Sequence, residues 1–447
     1  MKKVITYGTY DLLHYGHIRL LERARALGDY LIVGVTADDF DRTRGKINVQ
    51  QSLSERIEAV RQTGLADEII VEEYEGQKID DIWKYDIDIF TVGSDWEGQF
   101  DYLNEYCQVI YLERTKEISS TERREQKFSM RLGLVGHSRF LDKIIMESRY
   151  VNGVHLGGVY TSQRDKLPEA ASKLPFITDD YDALLSRVDA VYLHGNPCTH
   201  YEQIRSALNA GKHVMCESPI ALDRGQCSEL FRLAEEKHLV LMEALKTAYM
   251  TAYDRMLLLI RSGKIGQVVS VDSTCTSLSD LERQNIGELA RTWNSMYAWG
   301  PTALLPIFQI LGTSYRDRQI VTRYIDESES LDAFSKIDFV YDHAVASAKV
   351  GIGVKSEGEL IVSGTKGYVY IPAPWWKTDY FEIRYENPAD NSRYFYQLTR
   401  EGIRYELVAF AKAVEKGRSF GYISEEVSEA IAQIMGEFDK KSGIKRI

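Results

Sequence analysis

Two imidazoles three positions apart, His14 and His17, stand with Gly16 directly after the segment Gly8-Thr9-Tyr10-Asp11-Leu12-Leu13. A β-branched run, Val4-Ile5-Thr6-Tyr7, precedes this segment, and a helical pattern from His17 to Ala26 follows it. The pair is therefore expected where a strand hands over to a helix. A helix start presents unpaired N–H groups and partial positive charge, so it favours anions. Two imidazoles added there, with a glycine that lets a phosphate approach the backbone, suit the stabilisation of charge developing on a transferring phosphoryl group. An attacking phosphate monoester brings its own nucleophilic oxygen, so such a site needs positioning and charge neutralisation and no covalent enzyme intermediate. A second strand-to-glycine turn, Leu132-Gly133-Leu134-Val135-Gly136 followed by His137-Ser138-Arg139, falls where a dinucleotide fold places its phosphate-binding bend.

The elements that must position these residues read as an α/β chain with two tandem Rossmann-like parallel-sheet units, followed by an α+β domain with a mostly antiparallel open sheet. Leu31 to Val35, Glu68 to Val71, Ile87 to Val92 and Val109 to Leu112 continue the first set of strands. Val154 to Tyr160, Ala190 to Leu193, His213 to Cys216 and Val240 to Glu243 continue the second, with helices such as Tyr201 to Asn209 between them. Beyond Ile265 the runs 267–277, 337–341, 344–352, 359–363, 367–371 and 380–385 alternate with short turns, the pattern of an antiparallel sheet. Ile403, Leu407, Phe410 and Val414 recur at helical spacing, and Ser424 before two glutamates reads as an N-cap. The expected domains are 1–128, 129–250 and 251–447.

Composition bounds the partners. The 447 residues carry 55 Lys plus Arg against 66 Asp plus Glu, a net charge of −11, which argues against nucleic acid as a partner. No apolar run approaches the roughly 20 residues a bilayer requires, and Asp11 and His14 interrupt the N-terminal segment. The reading is a cytoplasmic protein with no membrane partner. Cys107, Cys198, Cys216, Cys227 and Cys275 form no CxxC pair and are expected to be small buried hydrophobes.

The segment from Gly8 to His17, with Arg42-Thr43-Arg44-Gly45-Lys46, Glu55-Arg56, Gly93-Ser94-Asp95-Trp96-Glu97-Gly98 and the run from Arg114 to Thr121, resembles the HxGH nucleotidyltransferase superfamily. Within it, the details resemble the glycerol-3-phosphate cytidylyltransferase family. The resemblance covers residues 1 to about 125. It implies that His14 and His17 contact the phosphates of CTP, with Thr9, Tyr10 and Gly16 around them, and that Asp11 supports Mg²⁺ or substrate placement. It further implies that Arg114, Ser119, Ser120 and Thr121 grip the β and γ phosphates, and that Asp95 and Trp96 border the cytidine. Lys46, with Arg44, would hold the incoming phosphate. ATP in place of CTP is the alternative nucleotide.

From Arg131 onward the Gly136 turn, Asn196-Pro197, the run from Ala207 to Val214, Glu217-Ser218-Pro219, Ser262 to Gly266 and Gly364 to Gly367 resemble the glucose-fructose oxidoreductase and inositol dehydrogenase family. The resemblance implies a Rossmann domain that binds NADP or NAD through Gly136, His137, Ser138, Arg139, Asn196, Pro197, His200 and Glu217. Ser162 and Arg164 follow the second strand where an acid would meet a ribose hydroxyl, and they suit the 2′-phosphate of NADP. Ser138 and Leu141 stand at the second and third glycine positions, and Ser218 stands where the family carries lysine. The later Asp-x-x-x-His pair has no counterpart in residues 300–310. A ketone reduction still needs a proton donor; Lys246, Tyr249, His194 and His200 are the substitutes, Lys246 first among them.

The functional expectation is a bifunctional enzyme. The second half would reduce a keto precursor with NAD(P)H, and the first would join the polyol phosphate to CMP from CTP, with release of pyrophosphate. A CDP-polyol of this kind feeds teichoic-acid-like or capsular polymers, and both families form dimers. The alternative keeps the cytidylyltransferase and makes the second half a noncatalytic binding or dimerisation module.

Overall fold

The computed structural model describes residues 1–37, 49, 51–73, 76–113, 128–279, 294–325, 331–396, 398, 400–419 and 421–447. The chain divides into two compact units, Met1–Ser129 and Met130–Ile447.

The first unit is built on a parallel sheet of five strands: β1 (Lys3–Gly8), β2 (Tyr30–Thr36), β3 (Glu68–Glu72), β4 (Ile89–Gly93) and β5 (Gln108–Leu112), in the order β3-β2-β1-β4-β5. Helices cover both faces, which is why the strands read as unbroken apolar runs instead of alternating with polar residues. Val4, Leu31, Val33, Val35 and Ile89 pack with Leu21 and Val60 on one face. Ile5, Tyr7, Ile32, Phe90 and Val92 pack with Ile82 and Leu103 on the other. Since β1 has β2 on one side and β4 on the other, the strand order reverses there. Open α/β sheets hold ligands at such a point, beyond the carboxyl ends of the strands.

The second unit contains two sheets. Strands β6 (Met130–Val135), β7 (Val154–Tyr160), β8 (Ile177–Thr178), β9 (Ala190–Leu193), β10 (His213–Glu217) and β11 (Leu241–Ala244) form a parallel sheet in the order β11-β10-β9-β6-β7-β8, whose reversal lies between β6 and β9. The other sheet has nine strands: β12 (Val268–Thr276), β13 (Asp317–Tyr324), β14 (Asp332–Val340), β15 (Val345–Gly351), β16 (Leu360–Gly364), β17 (Gly367–Ile371), β18 (Tyr380–Tyr385), β19 (Ser392–Phe395) and β20 (Ile444–Arg446). Its pairings are antiparallel except β12 with β15 and β13 with β20. The helix Ser295–Leu311 packs across β12, β14 and β15.

Two expectations need correction. Strands β8, β13, β19 and β20 are additional to the runs read from the sequence: β8 is only two residues long, β13 alternates charged and apolar residues too weakly to stand out, and β20 is a three-residue edge strand. Of the cysteines, 216, 227 and 275 are buried, but Cys107 is half-buried and Cys198 is exposed. Cys198 lies in the first turn of the helix Pro197–Asn209, on its solvent side.

Candidate active sites

In the first unit β1 ends at Gly8, and the loop to the helix Tyr15–Arg25 is held in an uncommon backbone form. Tyr10 (φ 52°) and Leu12 (φ 48°) both occupy the left-handed region. Such residues cost about 1–3 kcal/mol each and persist where the surroundings over-determine them. Here the surroundings are polar clamps. Asp11, 1% exposed, accepts through Oδ1 from Gln51 N at 3.0 Å, and Gln51 Oε1 accepts from Leu12 N at 2.7 Å. The fully buried Arg56 donates from Nη1 to Thr9 O (2.7 Å) and Thr36 O (2.8 Å), and from Nε to Gln51 O (3.2 Å). Arg56 is itself set by the helix Leu53–Gln62, whose start is a capping box of Ser52 and Glu55.

His14 is the N-cap of the helix Tyr15–Arg25, and its Nδ1 accepts from Gly16 N at 3.0 Å. That bond uses the Nδ1 lone pair, so the proton of the neutral ring sits on Nε2, which becomes a donor. The His17 ring stacks on His14 with centroids 4.0 Å apart and planes 18° apart, and Tyr10 meets His17 edge-on at 5.6 Å. Burial pushes the Tyr10 phenol upward, keeping it neutral. Asp95, exposed, and Trp96, half-buried, form a short turn directly beyond β4, the strand beside β1. The structure thus brings Thr9 to His17 and Asp95-Trp96 to one end of one sheet. Lys46, Arg44, Arg114, Ser119, Ser120 and Thr121 lie outside the described residues. Among the described residues no group of three His, Cys, Asp or Glu side chains is placed to hold a metal ion.

In the second unit the turn after β6 needs glycine at its first position: Gly136 has φ 129°, and a Cβ there would lie 2.0 Å from His194 O. Ser138 Oγ accepts from Phe140 N at 3.2 Å, closing one amide at the start of the helix Phe140–Ser148. His137 is half-buried and Arg139 exposed. Beyond β7, Ser162 and Arg164 are exposed, and Arg164 Nη2 donates to Ile177 O at 2.8 Å. Asn196 caps the helix Pro197–Asn209 by accepting from Cys198 N, with Pro197 buried at its first position. His200 is fully buried with Nδ1 2.8 Å from Pro219 O, and burial lowers its pKa, so the ring is neutral and ties the Ser218-Pro219 segment to this helix.

The four substitute proton donors differ in what holds them. Lys246 Nζ lies 2.9 Å from Glu401 Oε2 and 5.8 Å from the Phe140 ring centroid. The Tyr249 hydroxyl donates to Glu243 O at 2.6 Å and is buried. His200 is committed as described. His194 lies at the end of β9, its Nδ1 2.9 Å from Glu217 Oε2 and its ring 4.5 Å from Phe140. Ser218 donates to the fully buried Glu243, whose other oxygen accepts from Ser428 Oγ. The hydroxyl at the family's lysine position is therefore turned into the protein's own hydrogen-bond network.

Three features were missed in the sequence as functional. Arg56, which carries part of the resemblance but was given no role of its own, clamps the loop that follows β1; the capping box that opens its helix was the available signal. The pairing of His194 with Glu217 follows from adjacent strand ends and has no local signature. Glu401 gathers Lys143, Lys246 and Lys377 from separate stretches of chain.

Comparison with known proteins agrees with this division. Residues 5–126 match the family described as Cytidylyltransferase-like, and residues 130–245 match an oxidoreductase family with an NAD-binding Rossmann fold. The chain is 52% identical over 130 residues to the glycerol-3-phosphate cytidylyltransferase of Bacillus spizizenii, covering 29% of this chain and all of that protein. It is 38% identical over 100 residues to a dTDP-3,4-didehydro-2,6-dideoxy-α-D-glucose 3-reductase of Actinomadura kijaniata, covering 22% of this chain and 30% of that protein. A crystal structure of a 3-ketoreductase from Actinomadura kijaniata, in complex with NADP and TDP-benzene, superposes with a TM-score of 0.63 at 20% identity, over 71% of this chain and 99% of that one.

Proposed function

Because the chain belongs to the cytidylyltransferase-like family through its first unit and to the oxidoreductase family with the NAD-binding Rossmann fold through its second, we propose that it is a bifunctional enzyme that reduces a keto precursor and activates the resulting polyol phosphate as its CDP derivative. The observation that carries the reading is the stacked His14–His17 pair at the helix start, beyond β1. A phosphate monoester oxygen of a glycerol-phosphate-like acceptor attacks the α-phosphorus of CTP, the bond to the β-phosphate oxygen breaks, and pyrophosphate leaves. Nε2–H of His14, with the ring of His17 beside it, stabilises by hydrogen bonding the charge that develops on the phosphates as the bond breaks. Asp11, whose Oδ1 accepts from Gln51 N, supports the placement of Mg²⁺ or of the substrate beside the phosphates. Asp95 and Trp96 border the base, Arg114 with Ser119, Ser120 and Thr121 grips the β and γ phosphates, and Lys46, with Arg44, holds the incoming phosphate of the acceptor.

The second unit's residues fit a dinucleotide. Gly136 leaves no room for a Cβ at the turn, Arg139 stands exposed at the helix start, and Ser162 with Arg164 suits a 2′-phosphate, which favours NADP. Bound there, the cofactor supplies hydride. The chain's own contribution is to place the ketone and to give a proton to the oxygen that gains the electron pair, a role proposed for Lys246, which Glu401 keeps in position. The proposed domains are 1–128, 129–250 and 251–447, and the CDP-polyol would serve teichoic-acid-like or capsular polymer synthesis. No described helix is long and apolar enough to cross a membrane.

Incubation of the protein with CTP, Mg²⁺ and a panel of polyol phosphates tests the first activity through pyrophosphate release; none with any acceptor rejects it. The second reading, a noncatalytic module, is favoured by the engagement of Ser218 with Glu243. NADPH oxidation by keto phosphates separates the two: oxidation rejects the module, and binding without oxidation rejects the reductase.

A further inference from the structure

Three lysines from three elements of the second unit converge on a single carboxylate. Lys143, in the helix that follows the Gly136 turn, lies 3.2 Å from Glu401 Oε1. Lys377, in the short turn Trp375–Lys377 between β17 and β18, lies 3.0 Å from the same oxygen. Lys246, just beyond β11, lies 2.9 Å from Oε2. Among the described residues, these lysines pair with no other carboxylate, so the group carries two positive charges more than Glu401 neutralises. Burial pushes the Glu401 carboxyl up, but the ammonium groups of Lys246, Lys377 and Lys143 outweigh it and hold it down at about 2.

The cluster is fixed by the backbone around it. Glu401 N donates to Glu147 Oε1 at 3.0 Å, and Thr247 Oγ1 donates to Trp376 O at 2.9 Å, joining the segment after β11 to the Trp375–Lys377 turn. The lysine side chains stay 48%, 37% and 21% exposed at positions 143, 377 and 246, so the group is open to a ligand. Lys143 and Lys246 both lie over the Phe140 ring, which also meets His194 at the carboxyl end of β9. The cluster therefore borders the crevice where β6 and β9 diverge. Exposed ion pairs contribute little to stability, and crowding three ammonium groups works against it. Such an arrangement is suited to an anion instead.

We infer that Lys143 and Lys377, which share Glu401 Oε1, bind the phosphate of a phosphorylated keto substrate, with Lys246 on the opposite carboxylate oxygen. A phosphate monoester dianion matches the surplus of two positive charges, and charge-assisted hydrogen bonds to it are strong. This inference rests on the reductase reading and deepens it. Reduction leaves the phosphate ester intact, so the product is already the phosphate monoester that the first unit consumes, and no phosphorylation step intervenes between the two reactions.

The test is a calorimetric titration of inorganic phosphate into the full chain with CTP saturating the first unit, comparing wild type with Lys143→Gln, Lys377→Gln and the double variant. We expect each single variant to weaken one component of phosphate binding about tenfold and the double variant to abolish it. No difference between wild type and the double variant overturns the inference. Excess NADPH should leave this component in place; its displacement would assign the lysines to the dinucleotide's phosphates and overturn the inference. In turnover, both single variants should raise KM for a keto phosphate with kcat little changed, and leave a phosphate-free ketone unaffected. The titration needs no hydride transfer. Phosphate binding without oxidation of NADPH by any ketone removes the reductase reading and with it the assignment to a keto substrate. Oxidation without the phosphate component removes the lysine site alone.

Discussion

At the scale of single residues, His14 does two things that are separable. Its Nδ1 caps a helix, and its neutral ring then carries the proton on Nε2 as a donor. Replacement by Asn keeps a side-chain acceptor for Gly16 N but removes the imidazole, whereas Ala removes both. Losing an N-cap costs about 1 kcal/mol; losing one preorganised donor to a developing charge costs about 10²–10³ in rate. His14→Asn and His14→Ala should therefore both lower CTP turnover by roughly that factor, while only His14→Ala lowers the melting temperature of the first unit. Thermal denaturation beside pyrophosphate release measures both. Full turnover in the Asn variant would remove the imidazole from the chemistry. The pair itself was legible because HxGH is local, lying within a single turn. The clamp that holds it was not: Arg56 reaches Thr9 and Thr36, far apart in the chain, through carbonyl oxygens that every residue type possesses.

At the scale of elements, the helix Ile403–Lys416 carries a carboxyl into the core of the second unit. Glu406 is 1% exposed and accepts from the Tyr192 hydroxyl of β9 at 2.7 Å. Burial pushes its pKa up to about 8, against an ordinary value near 4.5. An acid whose folded pKa is raised stabilises the fold fully below its unfolded pKa and loses that contribution as pH rises to the folded pKa. Relative to Glu406→Gln, wild type should lose about 1.4 kcal/mol per pH unit between roughly pH 4.5 and 8, with a constant difference on either side. Chemical denaturation of both proteins across pH 4 to 9 checks this; parallel curves would mean that Glu406 is ionised in the fold. The helix was legible from Ile403, Leu407, Phe410 and Val414, yet the same spacing says nothing about a glutamate on the buried side. Strands β7, β9, β17 and β18 were readable to the residue because β-branched and aromatic runs end there at turn residues. Strand β13 was obscured by Asp317, Arg318 and Arg323, and β20 by its length. Convergence of Lys143, Lys246 and Lys377 on Glu401 depends on tertiary placement that no periodicity encodes.

At the scale of the whole molecule, each unit has its own apolar interior. Leu21, Val33 and Phe90 belong to the cores of the first, and Leu193, Ile204 and Leu230 to a core of the second. A relative at 52% identity matches the first unit over the whole of its own length, so the two units are expected to unfold separately. A ligand that binds only a native state raises stability by RT ln(1 + [L]/Kd), about 2.7 kcal/mol at one hundred times Kd. Spread over a unit of the first one's size this corresponds to a rise of roughly 10 °C in its midpoint, and to a smaller rise in the larger unit. Calorimetric scans should therefore resolve two transitions, CTP with Mg²⁺ moving one and NADPH moving the other. A single transition moved by both ligands would show that the units fold as one cooperative body, and the two active sites would then be thermodynamically linked, because each ligand would stabilise the other's binding unit.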